Sequence, residues 1–284
     1  MTARLRVGLL GVDTSHAEAF GSILADSPEV AGVHLWGADA IARREVARRA
    51  GLHEHAGPAR ELADQVDLAL VLHQAGQGAQ HNALAAPFLD AGVPVFVDKP
   101  LGPDPARARQ LFRTARERGT PLFSASALRF APGVSAWIAR AAEVDALTAS
   151  AAGPGRWESY AIHTLELTLA VFPIPVARVW RQRRGVQELL LLDAADGRSA
   201  LVIIDDRIEP AFSLTVRGRT GRLQAEVDDV LPAYQGLIAA CLRFARTGEA
   251  PVTPAQTLAV LDVLDAGRRA LIDGSPAEVR ADPV

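Results

Sequence analysis

Along roughly the first 120 residues, short apolar runs alternate with stretches of helical periodicity, the pattern of βαβ units around a parallel sheet. Leu5 to Leu10 reads as the first strand, about Ser15 to Ala25 as a helix, Val30 to Trp36 as the second strand, and about Ala40 to Ala50 as a second helix ended by Gly51. Leu68 to Leu72 is apolar at every position, which predicts a strand buried on both faces. A loop rich in Gly and Gln follows. The spacing then predicts a helix from Gln80 to Ala91, closed at Gly92 where a left-handed residue commonly ends a helix, and a buried strand from Pro94 to Val97.

Beyond Pro121 the pattern changes to strands that succeed one another with turns between them. They are Thr148 to Ala152, Val176 to Arg181, Glu188 to Asp193, Ala200 to Ile204, Ser213 to Arg217 and Leu223 to Val227. This predicts an α+β domain on an open, mainly antiparallel sheet. Two helices close the chain, about Ala233 to Arg246 and Pro254 to Ile272, the second with Thr253 as N-cap and Pro254 in its first turn. The fold class expected is therefore α/β, with a doubly wound parallel sheet in residues 1–121 and the α+β domain in 122–284, the C-terminal helices free to pack back on the first domain.

The chain has 284 residues, 49% hydrophobic and 22% charged, which is the composition of an ordinary globular protein with about two domains. A formal net charge of −3 leaves no electrostatic footprint for a polyanion, so nucleic acid is excluded as the main partner. The single cysteine, Cys241, excludes a disulfide framework within the chain and any cysteine-based metal cluster, and it suits a reducing cytoplasm. Arg4 and Arg6 flank only a short apolar run, so neither a signal peptide nor a membrane span is expected. With no Cys cluster and no His-x-x-x-His pair, no metal site is expected either.

The first strand runs into Gly11-Val12-Asp13-Thr14-Ser15-His16 and then a helix, the place where a Rossmann domain holds the pyrophosphate of a dinucleotide on backbone N–H groups. Laid over G-x-G-x-x-G, only Gly11 matches. Asp13 stands where backbone approaches phosphate, and it reads equally as a helix cap or as a ligand-facing charge; Thr14, Ser15 and His16 offer compensating donors. Asp39 follows the second strand slightly late for a ribose-binding acid and has the alternative of capping the second helix. Arg43 or Arg44 would meet a 2′-phosphate or face solvent. His73 and Gln74 follow a parallel strand directly, where they could touch nicotinamide or ribose, or hydrogen-bond only the backbone.

Among the 30 Lys and Arg residues there is one lysine, Lys99, in Val95-Phe96-Val97-Asp98-Lys99-Pro100-Leu101. It lies at the C-terminal end of a buried parallel strand, where open α/β sheets place ligands. A guanidinium stays protonated, whereas a partly buried ammonium can exchange its proton, which makes Lys99 the first candidate for an acid/base residue. Its plainer reading is a structural ion pair with Asp98.

With these residues the chain resembles the Gfo/Idh/MocA oxidoreductases, whose Glu-Lys-Pro motif is matched by Asp98-Lys99-Pro100. His81 leading through Ala91-Gly92, Ser126-Ala127-Leu128-Arg129-Phe130, Tyr160-Ala161-Ile162-His163 and the tail from Thr247 to Pro254 extend the resemblance in order along nearly the whole chain. The resemblance implies a Rossmann domain, a second domain whose sheet often mediates homo-oligomers, and oxidation of a sugar or polyol hydroxyl with NAD or NADP. It implies a small-molecule substrate, with Lys99 and His163 lining the cleft; Asp98 joins the cofactor group and Trp157 the substrate group, while Arg129 could bind a substrate carboxylate or phosphate through its planar fork or equally hold the two domains together in an ion pair. Many members carry an Asp four residues before the histidine; here Ser159 stands there, with Glu158 and Glu166 the nearest carboxylates.

Tyr160, His163 and Glu166 are spaced by three, which would bring them near one helical face. His163 has the range to take a hydroxyl proton and Tyr160 could bond the same oxygen; a histidine on an apolar helix is otherwise a satisfied core group. Because the phosphate turn is altered and cofactor binding thereby weakened, two alternatives stand beside the dehydrogenase. One is a non-redox lyase or isomerase using Lys99 and His163, and the other is a non-catalytic relative.

Overall fold

The structure is a computed structural model and describes residues 3–209 and 211–280. The chain divides into two compact units, one running to Ala125 and including Tyr234–Thr257, the other comprising Ser126–Ala233 and the residues from Leu258 on.

In the first unit the elements follow as β1 (Leu5–Leu10), α1 (Ser15–Ala25), β2 (Val30–Trp36), α2 (Ala40–Ala50), β3 (His53–Glu54), β4 (Leu68–Val71), α3 (Ala75–Gly78), α4 (His81–Asp90), β5 (Val95–Val97), α5 (Pro105–Arg118) and β6 (Leu122–Ser124). The six strands form one all-parallel sheet in the order β3-β2-β1-β4-β5-β6. The strand order reverses between β1 and β4, and the carboxyl ends of these two strands and of β5 are where such a sheet binds ligands. Every residue of β4 and β5 is buried, which explains why their sequences carry no polar alternation.

The sheet continues past residue 121, because β6 pairs with β5 from Leu122 to Ser124. The crossover that delivers β6 is α5, capped by Asp104 onto the Arg107 N–H at 2.8 Å and ended by Gly119 in the left-handed region.

The second unit contains α6 (Val134–Glu143), β7 (Ala146–Pro154), α7 (Trp157–Val171), β8 (Val176–Arg184), β9 (Gln187–Ala194), β10 (Ser199–Asp205), β11 (Phe212–Gly218) and β12 (Arg222–Val227). Two helices, α8 (Leu231–Thr247) and α9 (Pro254–Asp273), and the short β13 (Ala277–Glu278) complete the described chain. The sheet order is β12-β11-β7-β10-β9-β8-β13, antiparallel except for the parallel pair β7–β10. Alternation decides its faces: Leu190, Leu192, Val202, Ile204, Leu214 and Val216 are buried, while Leu191 and Leu201 stay exposed. Thr253 Oγ1 accepts from the Gln256 N–H and caps α9 as its sequence predicts.

In the first unit Phe96, Phe123 and Phe244 form a ladder, with ring centroids 5.0 Å apart between Phe96 and Phe123 and 4.8 Å between Phe123 and Phe244. All three are fully buried. Phe244→Ala is therefore expected to lower stability by about 3–5 kcal/mol, read as a fall in the urea midpoint of the first unit.

Candidate active site

The carboxyl edge of the first sheet collects the residues that matter. Gly11 ends β1 with φ +130, and a Cβ there would lie 2.6 Å from the His73 backbone nitrogen, so the turn requires glycine. The helix cap is Thr14, whose Oγ1 accepts from the His16 N–H at 3.2 Å. Asp13 does not cap. Its carboxylate crosses the switch point, one oxygen 3.1 Å from His73 Nδ1 and the other accepting the Gln74 N–H at 3.1 Å. The charge that would repel a phosphate is thus drawn toward the loop after β4. His73 and Gln74, expected against nicotinamide or ribose, instead hold Asp13, and the His73 carbonyl accepts from His81 Nε2.

His16 turns inward rather than toward a phosphate. Its Nδ1 lies 2.7 Å from Asp98 Oδ2, its Nε2 is 3.3 Å from the Tyr234 hydroxyl, and its ring stacks on Phe20 at 4.7 Å. Asp98, expected to touch cofactor, is buried in this pair. Burial disfavours its charge, but the attraction of His16 and Lys99 outweighs that and holds its pKa at about 2. Lys99 directly follows and is 8% exposed. His81 is buried between the Leu101 and His73 carbonyls, and burial pulls its pKa below the ordinary imidazole range against those two bonds.

The second strand's acid candidate, Asp39, caps α2: one oxygen accepts the Ile41 and Ala42 N–H groups at 2.8 and 3.1 Å. Arg43 is buried, bonded to the Gly37 carbonyl and Glu54, while Arg44 stays at the surface.

In the second unit, His163 on α7 has its Nδ1 2.7 Å from Ser126 Oγ, which also accepts the Leu128 N–H. Tyr160 is 44% exposed with its ring 5.5 Å from His163. Glu166 does not share their face. Each step of three residues turns 60° short of a full circle, so six residues rotate it by about 120°. Glu166 is 1% exposed and bonded to Arg129 Nε, which removes both the expected catalytic Glu166 and the expected substrate contact Arg129. Burial raises the Glu166 pKa, opposed by the Arg129 guanidinium and the Ser126 N–H. Trp157 is likewise interior: the Arg181 guanidinium lies 3.6 Å over its ring.

The family model described as an oxidoreductase family with an NAD-binding Rossmann fold matches residues 5–126. A curated relative, trans-1,2-dihydrobenzene-1,2-diol dehydrogenase of Oryctolagus cuniculus, is 38% identical over 92 residues, 32% of this chain. That match spans only 28% of the relative's length. Over residues 5–126 the chain is similar to the Gfo/Idh/MocA oxidoreductases. Solved structures share its fold over both units. A myo-inositol dehydrogenase from Corynebacterium glutamicum superposes with TM-score 0.82 at 16% identity over 98% of this chain and 100% of that one. GenD2 from gentamicin A biosynthesis, solved in complex with NAD, superposes with TM-score 0.82 at 20% identity over 99% and 98%.

Two partners at the site, Ser126 and Tyr234, were not singled out from the sequence. Tyr234 carried a signal in its scarcity, being one of two tyrosines, the other of which is Tyr160. Ser126 carried none beyond its place in a matching motif.

The buried pair in the second unit has a pH signature. Arg129→Met leaves Glu166 charged and unpaired, costing about 3–5 kcal/mol near neutral pH. The folded-state pKa of Glu166 then lies further above its unfolded value. The penalty is complete above that folded pKa and disappears as pH falls toward the unfolded value. Urea unfolding across pH should show the variant's deficit shrinking with acid, and adding Glu166→Gln should relieve it at neutral pH.

Proposed function

We propose that the protein is an NAD(P)-dependent oxidoreductase acting on a hydroxyl or keto group of a sugar, polyol or related small molecule. The observation that carries this reading is the only lysine of the chain, buried at the carboxyl end of β5 in a domain of an NAD-binding family.

The residues present fit a dinucleotide at the switch point. Gly11 allows the close turn, the amino end of α1 faces the reversal of strand order, and the Asp13 charge is engaged by His73 and the Gln74 N–H. Gly11, Thr14 and Ser15 would hold the phosphates. Asp39 caps α2 through one carboxylate oxygen and would offer the other to a ribose. When bound, the nicotinamide supplies the hydride acceptor or donor. Lys99 contributes an ammonium that donates to the reacting oxygen and stabilises the alkoxide. His163 contributes an imidazole; with its Nδ1–H donated to Ser126 Oγ, Nε2 is the basic nitrogen. Tyr160 beside it offers a phenolic donor.

A cytoplasmic homo-oligomer completes the proposal. Trp180, Leu191 and Leu201 are register partners across β8, β9 and β10 and are 44%, 37% and 41% exposed, an apolar row on one sheet face. Among the described residues no helix is long and apolar enough to cross a membrane.

Titration with NAD(H) and NADP(H), and nicotinamide absorbance with a panel of inositols and aldoses, test the activity. Binding of at least one form is expected, and a folded protein that binds none overturns the reading. Product formed after all nicotinamide is stripped would point to the lyase or isomerase. Lys99→Met and His163→Ala are each expected to lower kcat by about 10²–10⁴-fold. Leu191→Arg should reduce the mass measured by light scattering to that of a smaller assembly; an unchanged mass places the interface elsewhere.

A further inference from the structure

The Rossmann fingerprint puts glycine where this chain has His16, for close packing of helix on strand. A residue that merely filled the extra space would be apolar. His16 instead engages both ring nitrogens, Nδ1 with Asp98 and Nε2 with the Tyr234 hydroxyl. Its plane is fixed from two sides, by Phe20 stacked at 19° and Tyr234 edge-on at 71°. His16 is 7% exposed and Asp98 2%, so their bond is made where water does not compete. Asp98 also accepts the Lys99 backbone N–H and feels the Lys99 ammonium.

We infer that His16 and Tyr234 are positioning residues for Lys99, acting through Asp98. The Tyr234 hydroxyl donates to Nε2 and thereby keeps the proton of His16 on Nδ1. That N–H donates to Asp98 and shares its negative charge. The carboxylate then holds the Lys99 main chain and sets how strongly the ammonium beside it is retained.

The groups facing this pair narrow the account. His81 on α4 and Cys241 on α8 both feel Asp98. Burial pulls the His81 pKa down, against its two carbonyl contacts, and pushes the Cys241 thiol up. The charge on Asp98 is left to His16 and Lys99, and weakening one partner transfers the demand to the other. Glycine in the turn would leave Lys99 the whole of it.

The inference rests on reading Lys99 as the group that meets the reacting oxygen, but its test does not use turnover. Lysine enriched with 13C at Cε gives one side-chain signal in this chain, whose pH dependence reports Lys99 directly. Three variants separate hydrogen bonding from packing. His16→Phe keeps a ring on Phe20 and removes both nitrogens; His16→Asn keeps a donor toward Asp98; Tyr234→Phe removes one hydroxyl. The Lys99 midpoint is expected to move up by about half a pH unit or more in His16→Phe, because the carboxylate then leans on the ammonium alone. A smaller upward move is expected in Tyr234→Phe, and a midpoint near the parent's in His16→Asn. Unchanged midpoints in His16→Phe and Tyr234→Phe overturn the inference. Should His16→Phe not fold, Tyr234→Phe decides alone. A protein that shows these shifts and binds no nicotinamide refutes the oxidoreductase reading and leaves the positioning of Lys99 standing.

Discussion

A carboxylate buried at the end of a parallel strand has to be compensated, and the carboxyl edge of the first sheet is organised around that demand. Asp98 meets it with a histidine from α1 and with the lysine that follows it in sequence. The histidine in turn requires α1 to start close enough for its ring to reach β5, stacked on Phe20 one turn along the same helix. Asp13 answers to the same constraint on the other side of the switch point, its carboxylate divided between His73 and a backbone N–H. One acid in the phosphate turn and one at the end of β5 are tolerable because each has a partner from a neighbouring element.

This arrangement exchanges backbone freedom for side-chain bonds. Glycines at the second and third fingerprint positions would leave the turn open to a ligand and poor in internal contacts. Asp13 and His16 supply those contacts from within the chain. The one glycine that remains, Gly11, stands where the His73 backbone leaves no room for a Cβ. Sterics kept the position that only glycine can occupy, and the rest of the turn was free to take side chains that bond.

Strands and helices with clear periodicity were legible in the sequence, β1, α1, β2 and α2 to the residue. The short β3 and β6 were not, and neither was the crossover helix α5 that joins β5 to β6. At the site, legibility followed chemistry that acts locally. The cap at Thr253 is a matter of neighbouring residues and could be read. The pairing of Arg129 with Glu166, or of His16 with Asp98, joins residues 37 and 82 positions apart and depends on which strand ends adjoin. Spacing by three suggested a shared face for Tyr160, His163 and Glu166, but the helical turn drifts, and the end of the series reached the interior.

Composition becomes informative once these pairs are in place. Arginine is used where a permanent charge with a planar fork is required: Arg129 against a buried carboxylate, Arg181 between Glu188 and the face of Trp157, Arg43 against a carbonyl and Glu54. At each of these positions lysine would forfeit either the second donor or the stacking surface. At position 99 the exchange runs the other way. A guanidinium beside Asp98 would form a tighter, bidentate pair, competing with His16 for the carboxylate, whereas an ammonium leaves the carboxylate shared. The single departure from arginine therefore falls where a bidentate guanidinium would undo the arrangement that His16 and Tyr234 maintain.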